Sequence, residues 1–142
     1  MGKTILDDLK QIHFRDKSDA LGIAEKQWQQ LNHSFKIPDI KGDIQHIVFA
    51  GMGGSALAAR ISITWPGYSV PFEISSDYDI PAYVSEKTLF IASSYSGNTE
   101  ETITALEQAK QRGAKIIVIS CGGKLEELAT RYNLIHITLP EV

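Results

Sequence analysis

Cysteine is almost missing from this chain: Cys121 is the only one in 142 residues, so no internal disulfide can staple the fold. A lone thiol agrees with a reducing compartment. Basic clusters are missing as well, and a net charge of −3 argues against a general nucleic-acid binder, which carries a basic face. No apolar run approaches the roughly 20 residues that a membrane-spanning helix needs. Met1-Gly2-Lys3-Thr4 leads into no signal-peptide region, and Leu6 stands where a myristoylation motif wants Ser or Thr. These gaps place the chain in the cytoplasm, with neither nucleic acid nor membrane as partner. His13 and His33 have no companion at metal-ligand spacing, so no metal site and no cofactor is expected.

What is present is ample for one globular domain: 43% of the residues are hydrophobic and 22% charged. The most informative stretch runs from Phe90 to Thr102. An apolar strand stops in hydroxyls, and a helical pattern restarts with Ile103 and Leu106. Ser94, Ser96, Gly97, Asn98 and Thr99 crowd the join. A helix N-terminus exposes amides without intrahelical partners and carries about half a positive charge, so phosphate placed there meets donors and field together. Ser94, Ser96 and Thr99 add hydroxyl donors, and Gly97 allows close backbone approach. The plainer reading is capping alone, by Ser96 or by Asn98, with Glu101 completing a capping box if Asn98 is the cap. Capping needs one such residue, and this loop offers several.

Residues 1–38 read as an N-terminal helical segment. Ile5, Leu6 and Leu9 line one short helix; Ser18 or Asp19 caps a second, with Leu21, Ala24, Trp28 and Leu31 as its buried stripe and Pro38 as its end. Residues 37–42 connect to a domain spanning 39–142, where strands and helices alternate. His46–Ala50 is a strand, Gly51-Met52-Gly53-Gly54-Ser55 a glycine-rich turn, and Ala56 to Ile61 a helix start. Val70–Ile74, Thr88–Ala92, Lys115–Ser120 and Leu134–Leu139 supply four more strands. Asp77 and Asp79 read as turn residues, and His46 and His136 as packed or edge residues.

Five strands with intervening helices predict an α/β fold, a three-layer αβα sandwich around a doubly wound parallel sheet of flavodoxin-like order 2-1-3-4-5. Its switch point lies between the first and third strands, which carry the two loops. Gly53, Gly54, Ser55, Ser94, Ser96 and Thr99 therefore gather around one small anion. The first loop also satisfies G-x-G-x-x-A through Gly51, Gly53 and Ala56, with Glu73 at the distance of a ribose-binding acid. That dinucleotide reading leaves the hydroxyl loop unexplained.

Gly51–Ser55, Tyr78–Val84, Ser93–Thr102 and Gly122–Leu125, in this order, resemble the N-terminal sugar isomerase (SIS) domain of the bifunctional phosphoglucose/phosphomannose isomerase family. The resemblance covers about residues 18–140. Ala56 stands where the family commonly has glycine, and Cys121 replaces a small hydroxyl residue and reads as buried and unreactive. By position, the resemblance implies that Ser94, Ser96 and Thr99 hold a hexose 6-phosphate through its phosphate, with Ser55, Gly53, Gly54 and Gly97 beside it. It implies a homodimer and an aldose–ketose isomerisation of glycolysis and gluconeogenesis. It also implies a second SIS domain, absent here, that brings the glutamate, histidine and lysine of catalysis. On that basis this chain is an isolated first domain with no catalytic residue of its own, inactive alone. A non-catalytic SIS phosphosugar-sensing module is the alternative.

Overall fold

Runs rich in β-branched residues pack well on a pleated surface, and several such runs in the second part of the chain form strands. In the computed structural model, which describes residues 8–65 and 67–140, these are β1 (His46–Ala50), β2 (Phe72–Ser75), β3 (Thr88–Ser93), β4 (Lys115–Ser120) and β5 (Ile135–Thr138). Every pairing is parallel, and the spatial order is β2-β1-β3-β4-β5, as the sequence predicts. Several boundaries differ by one or two residues: β2 and β3 end one residue later, at Ser75 and Ser93, and β5 is trimmed to Ile135–Thr138. β2 starts at Phe72, paired with Ile47, because Pro71 has no N–H to give to a ladder and Val70 lies beyond it.

Between the strands run α3 (Leu57–Ser62), entered through a 3₁₀ turn at Gly53–Ala56, then α4 (Glu100–Gln111) and α5 (Gly123–Tyr132). From β1 the chain first steps one way to β2 and afterwards the other way to β3, β4 and β5. Right-handed crossovers then oblige α3 to lie on the face opposite α4 and α5. Burial agrees with this. Ala105, Leu106 and Ala109 of α4 and Leu125, Leu128 and Ala129 of α5 cluster with Val48, Phe90, Ala92, Ile116 and Val118. Phe49 and Ile117, which alternate with those strand residues, are buried outside that cluster, as are Ala56 and Ala59. Phe90, Leu106, Leu125 and Leu128 are completely buried, each contributing about 2 kcal/mol by area, so the α4–α5 face carries much of the stability.

By contacts the chain divides into two compact units, one through Phe35 and one spanning Lys36–Glu141. In the first, α1 (Leu9–Arg15) starts at Asp8, whose carboxylate accepts from the amides of Lys10 and Gln11. α2 (Ala20–Lys26) runs on into a 3₁₀ turn at Gln27–Asn32 and stops there, six residues before Pro38. Asp19 holds its N-cap position, as expected, but makes no side-chain cap bond. Asp19 sits in the left-handed region at φ 53°, and Asp16 instead accepts from Ala20 N at 2.8 Å and Leu21 N at 2.9 Å. Those bonds, Leu21's first, hold the Asp16 carboxyl below its ordinary range.

The expected stripe is also not buried: Leu21, Ala24, Trp28 and Leu31 are all exposed. Seven-residue helices in so small a unit assemble no core among the described residues. The expectations for Ile5 and Leu6 fall outside the described residues.

Candidate functional site

The carboxyl ends of β1 and β3 lie side by side, because Ala50 pairs with Ala92, and the two loops that follow them meet. Gly51 marks the close approach: a Cβ there would stand 3.0 Å from the carbonyl oxygen of Ser93. The loops are also bonded to each other. The amide of Tyr95 donates to Ser55 Oγ at 3.3 Å, so Ser55 joins the glycine-rich turn to the hydroxyl loop. Gly53 is exposed at φ 50°, in the left-handed region that glycine tolerates, and neither Gly53 nor Gly54 would bring a Cβ within 4 Å of anything. Open space lies in front of both.

The hydroxyls of the second loop take different positions. Ser94 is buried; its Oγ accepts from Gly97 N at 3.2 Å and lies 2.7 Å from Thr99 Oγ1. If Ser94 donates across that contact, Thr99 keeps its own hydroxyl hydrogen to turn outward. Ser96 is exposed and accepts from Asn98 N at 3.3 Å, which leaves its hydrogen free too. The loop therefore has one buried hydroxyl that orders it and two less buried ones, half-buried Thr99 and exposed Ser96.

Thr99 is the N-cap of α4, yet it makes no side-chain cap bond, its Oγ1 being engaged with Ser94. Neither Ser96 nor Asn98 caps α4, and no Asn98–Glu101 capping box forms. Among the described residues, the amides of Glu100, Glu101 and Thr102 have no partner. Asn98 is employed elsewhere: its Oδ1 accepts from Lys124 N at 3.0 Å, in the first turn of α5, while Gly97 O accepts from Leu125 N at 2.9 Å. Of the helix N-termini at this edge, α5 has its Lys124 and Leu125 amides taken by the loop, while the first-turn amides of α4 have no partner among the described residues.

Gly97 has a different reason from the one its sequence context suggests. It is buried at φ 71°, and a Cβ there would stand 1.8 Å from Gly122 O, so a neighbouring loop occupies the space. Gly123 reciprocates at φ 73°, with its Cβ position 2.4 Å from Ser96 O. Cys121, half-buried rather than buried, donates its amide to Tyr95 O at 2.9 Å. Residues 121–124 thus brace the hydroxyl loop from behind. Sequence reading missed this role, since nothing local links Asn98 to an amide 26 positions onward.

Glu100 and Glu101 place two carboxylates in the first turn of α4. Glu100 and Glu101 face the loop after β2, where the charge of Glu101 chiefly, then burial and Glu100, pushes the Tyr78 phenol above its ordinary range. Lys124 is paired with Glu127 at 2.9 Å. Glu73 lies mid-strand, opposite Val48, and accepts from the Tyr83 hydroxyl, away from the strand tip where a ribose-binding acid belongs. His136 bonds Ser120 at 2.9 Å, and His46 stacks on Tyr83 with ring centroids 4.8 Å apart. A separate cavity of about 360 Å³ opens at the amino ends of β3, β4 and β5, lined by Leu89, Lys115, Ile117 and Ile135 among others. It lies at the far end of the strands from both loops.

The profile of the SIS domain family matches residues 43–142, which includes the whole sheet and both loops. The chain belongs to the SIS domain family. Among curated proteins, this SIS domain is 48% identical over 100 residues to the bifunctional phosphoglucose/phosphomannose isomerase of Caldicellulosiruptor bescii. That match covers 69% of the chain and 30% of the relative. The D-glucosamine-6-phosphate 4-epimerase of Sulfolobus acidocaldarius is 32% identical over 119 residues, covering 82% of the chain and 38% of that protein. Among solved structures, one from Bacillus subtilis superposes with a TM-score of 0.58 at 24% identity, over 70% of this SIS domain and 32% of that chain. The chain thus spans about a third of the length of the curated relatives it matches. No helix among its described residues is long and apolar enough to cross a membrane.

Proposed function

We propose that this SIS domain is the phosphate anchor of an aldose–ketose isomerase that interconverts glucose 6-phosphate or mannose 6-phosphate with fructose 6-phosphate. The observation that carries the reading is the N-terminus of α4, whose first-turn amides have no partner among the described residues, next to the loop that bears the hydroxyls of Ser96 and Thr99. Gly53, Gly54 and Ser55 flank it across the switch point. A phosphate seated there accepts from the first-turn amides and from both hydroxyls, with Ser94 holding Thr99 in place. Donors fixed in advance by a helix and a braced loop need little reorganisation when the anion arrives.

The isomerisation opens the sugar ring and moves a proton between C1 and C2 through an enediol, which requires a base beside those carbons. C1 and C2 lie at the opposite end of the sugar from the 6-phosphate. With Glu100 and Glu101 directed at Tyr78, the base comes from outside this chain, in keeping with a second SIS domain, and the chain alone is inactive. The relatives agree on the ligand class: one is named for phosphoglucose and phosphomannose isomerisation and one for a D-glucosamine-6-phosphate 4-epimerase, so both names carry a phosphorylated hexose. What they share with this chain is then the phosphate grip, and the reaction is chosen elsewhere. The protein acts in the cytoplasm, needs no cofactor and pairs as a homodimer. A non-catalytic phosphosugar-sensing module is the second reading, favoured by the same lack of a placed base.

Calorimetric titration with fructose 6-phosphate tests the anchor. The native chain is expected to give a saturable heat, and Ser96→Ala to bind about tenfold more weakly, the worth of one hydrogen bond to a charged group. Equal affinities would remove Ser96 from the site.

A further inference from the structure

Three helices begin at the carboxyl edge of the sheet, α3 through its 3₁₀ turn and α4 and α5 directly after the strand loops, and a helix N-terminus attracts anions whichever helix it belongs to; the choice here is between α4 and α5. The structure distinguishes them through one side chain. Asn98 Oδ1 takes the amide of Lys124 and the neighbouring carbonyl of Gly97 takes that of Leu125, so the second and third amides of α5 are spent on the hydroxyl loop. The first turn of α4 receives no such partner.

We propose that Asn98 is a positioning residue: by capping α5 from the hydroxyl loop, it closes that helix to anions and holds Ser96 and Thr99 in register with the open end of α4. The proposal rests on the phosphate-anchor reading and adds to it the residue that sets the loop's geometry without touching the ligand. The mutual fit of the two loops supports it. Gly97 against Gly122 O, and Gly123 against Ser96 O, leave no room for a Cβ, so the loops are closely apposed and the Asn98–Lys124 bond spans their contact. Asn98 N also donates to Ser96 Oγ at 3.3 Å, so displacing Asn98 disturbs Ser96 directly. The amide nitrogen of the Asn98 side chain is not needed for the cap. An oxygen acceptor at the same reach suffices, and aspartate provides one.

The test uses the 142-residue chain in three forms, native, Asn98→Ala and Asn98→Asp. Hydrogen exchange of the Lys124 amide is read alongside fructose 6-phosphate affinity and melting temperature. Slow exchange at Lys124 is expected in the native and Asn98→Asp chains, and exchange at least tenfold faster in Asn98→Ala. Asn98→Ala is expected to lose about tenfold in affinity at a concentration and temperature where it remains folded. Asn98→Asp keeps the cap and the melting temperature but binds more weakly as salt is lowered, because its charge repels the phosphate. A purely structural role would lower the melting temperature of Asn98→Ala and leave the affinity of the folded fraction unchanged, and that result overturns the proposal. Unchanged Lys124 exchange in Asn98→Ala overturns it as well. A native chain that gives no heat with fructose 6-phosphate would instead bring down the anchor reading, and the positioning role with it.

Discussion

Thr102 turns its side chain to the inner face of α4, where it is buried, and Oγ1 has no hydrogen-bond partner. A buried hydroxyl left unsatisfied costs about 1–3 kcal/mol, whereas an isosteric methyl costs nothing comparable. Thr102→Val is therefore expected to raise the unfolding free energy by about 1 kcal/mol, measured by urea denaturation. A loss of stability would mean that the hydroxyl has a partner in solution. Single residues also show where sequence reading stops. The pattern identifies Asn98 as a capping type but cannot say which helix it caps, because Lys124 reaches it only through the packing of two loops. The same limit applies to Gly97. Its left-handed backbone is foreseeable from residue type, but the carbonyl that forbids a Cβ belongs to Gly122, 25 residues later.

At the scale of elements, the strands were legible because β-branched runs ended by glycine, hydroxyl or asparagine residues leave few other readings. β2 starts two residues later than expected because Pro71, inside the apolar run, has no N–H to donate and joins the ladder only through its carbonyl, which accepts from Ile47 N. The segment between β2 and β3 returns to the sheet through Ile80 and Val84, which join the main cluster, and through Tyr83. Tyr83 donates to the Glu73 carboxylate; burial first, and then that bond and charge, push its phenol up from 10.0 to about 12. A pKa raised by folding stabilises fully below the unfolded value and is lost as pH climbs through the folded one. The contribution from Tyr83 thus holds up to about pH 10 and fades toward about pH 12. The stability gap between the native chain and Tyr83→Phe is expected to narrow over that interval in denaturation series run at fixed pH. A gap constant from pH 9 to pH 12 would show that Tyr83 is not tied to Glu73.

For the molecule as a whole, the sheet order and its switch point followed from counting strands and placing two anion-friendly loops at their carboxyl ends. The first unit was less legible, since a periodic apolar stripe at Leu21, Trp28 and Leu31 states which face is apolar but not whether anything covers it. The central claim is the location of the anion. The 142-residue chain also offers a cavity at the opposite end of its sheet, so location can be decided and not merely binding. The most direct measurement is an amide NMR titration with fructose 6-phosphate. The account predicts saturable shifts at Gly53, Gly54 and Ser55 and from Ser96 through Thr102, with Leu89, Lys115 and Ile117 unmoved. Saturable shifts confined to those last three, or none anywhere, would contradict it.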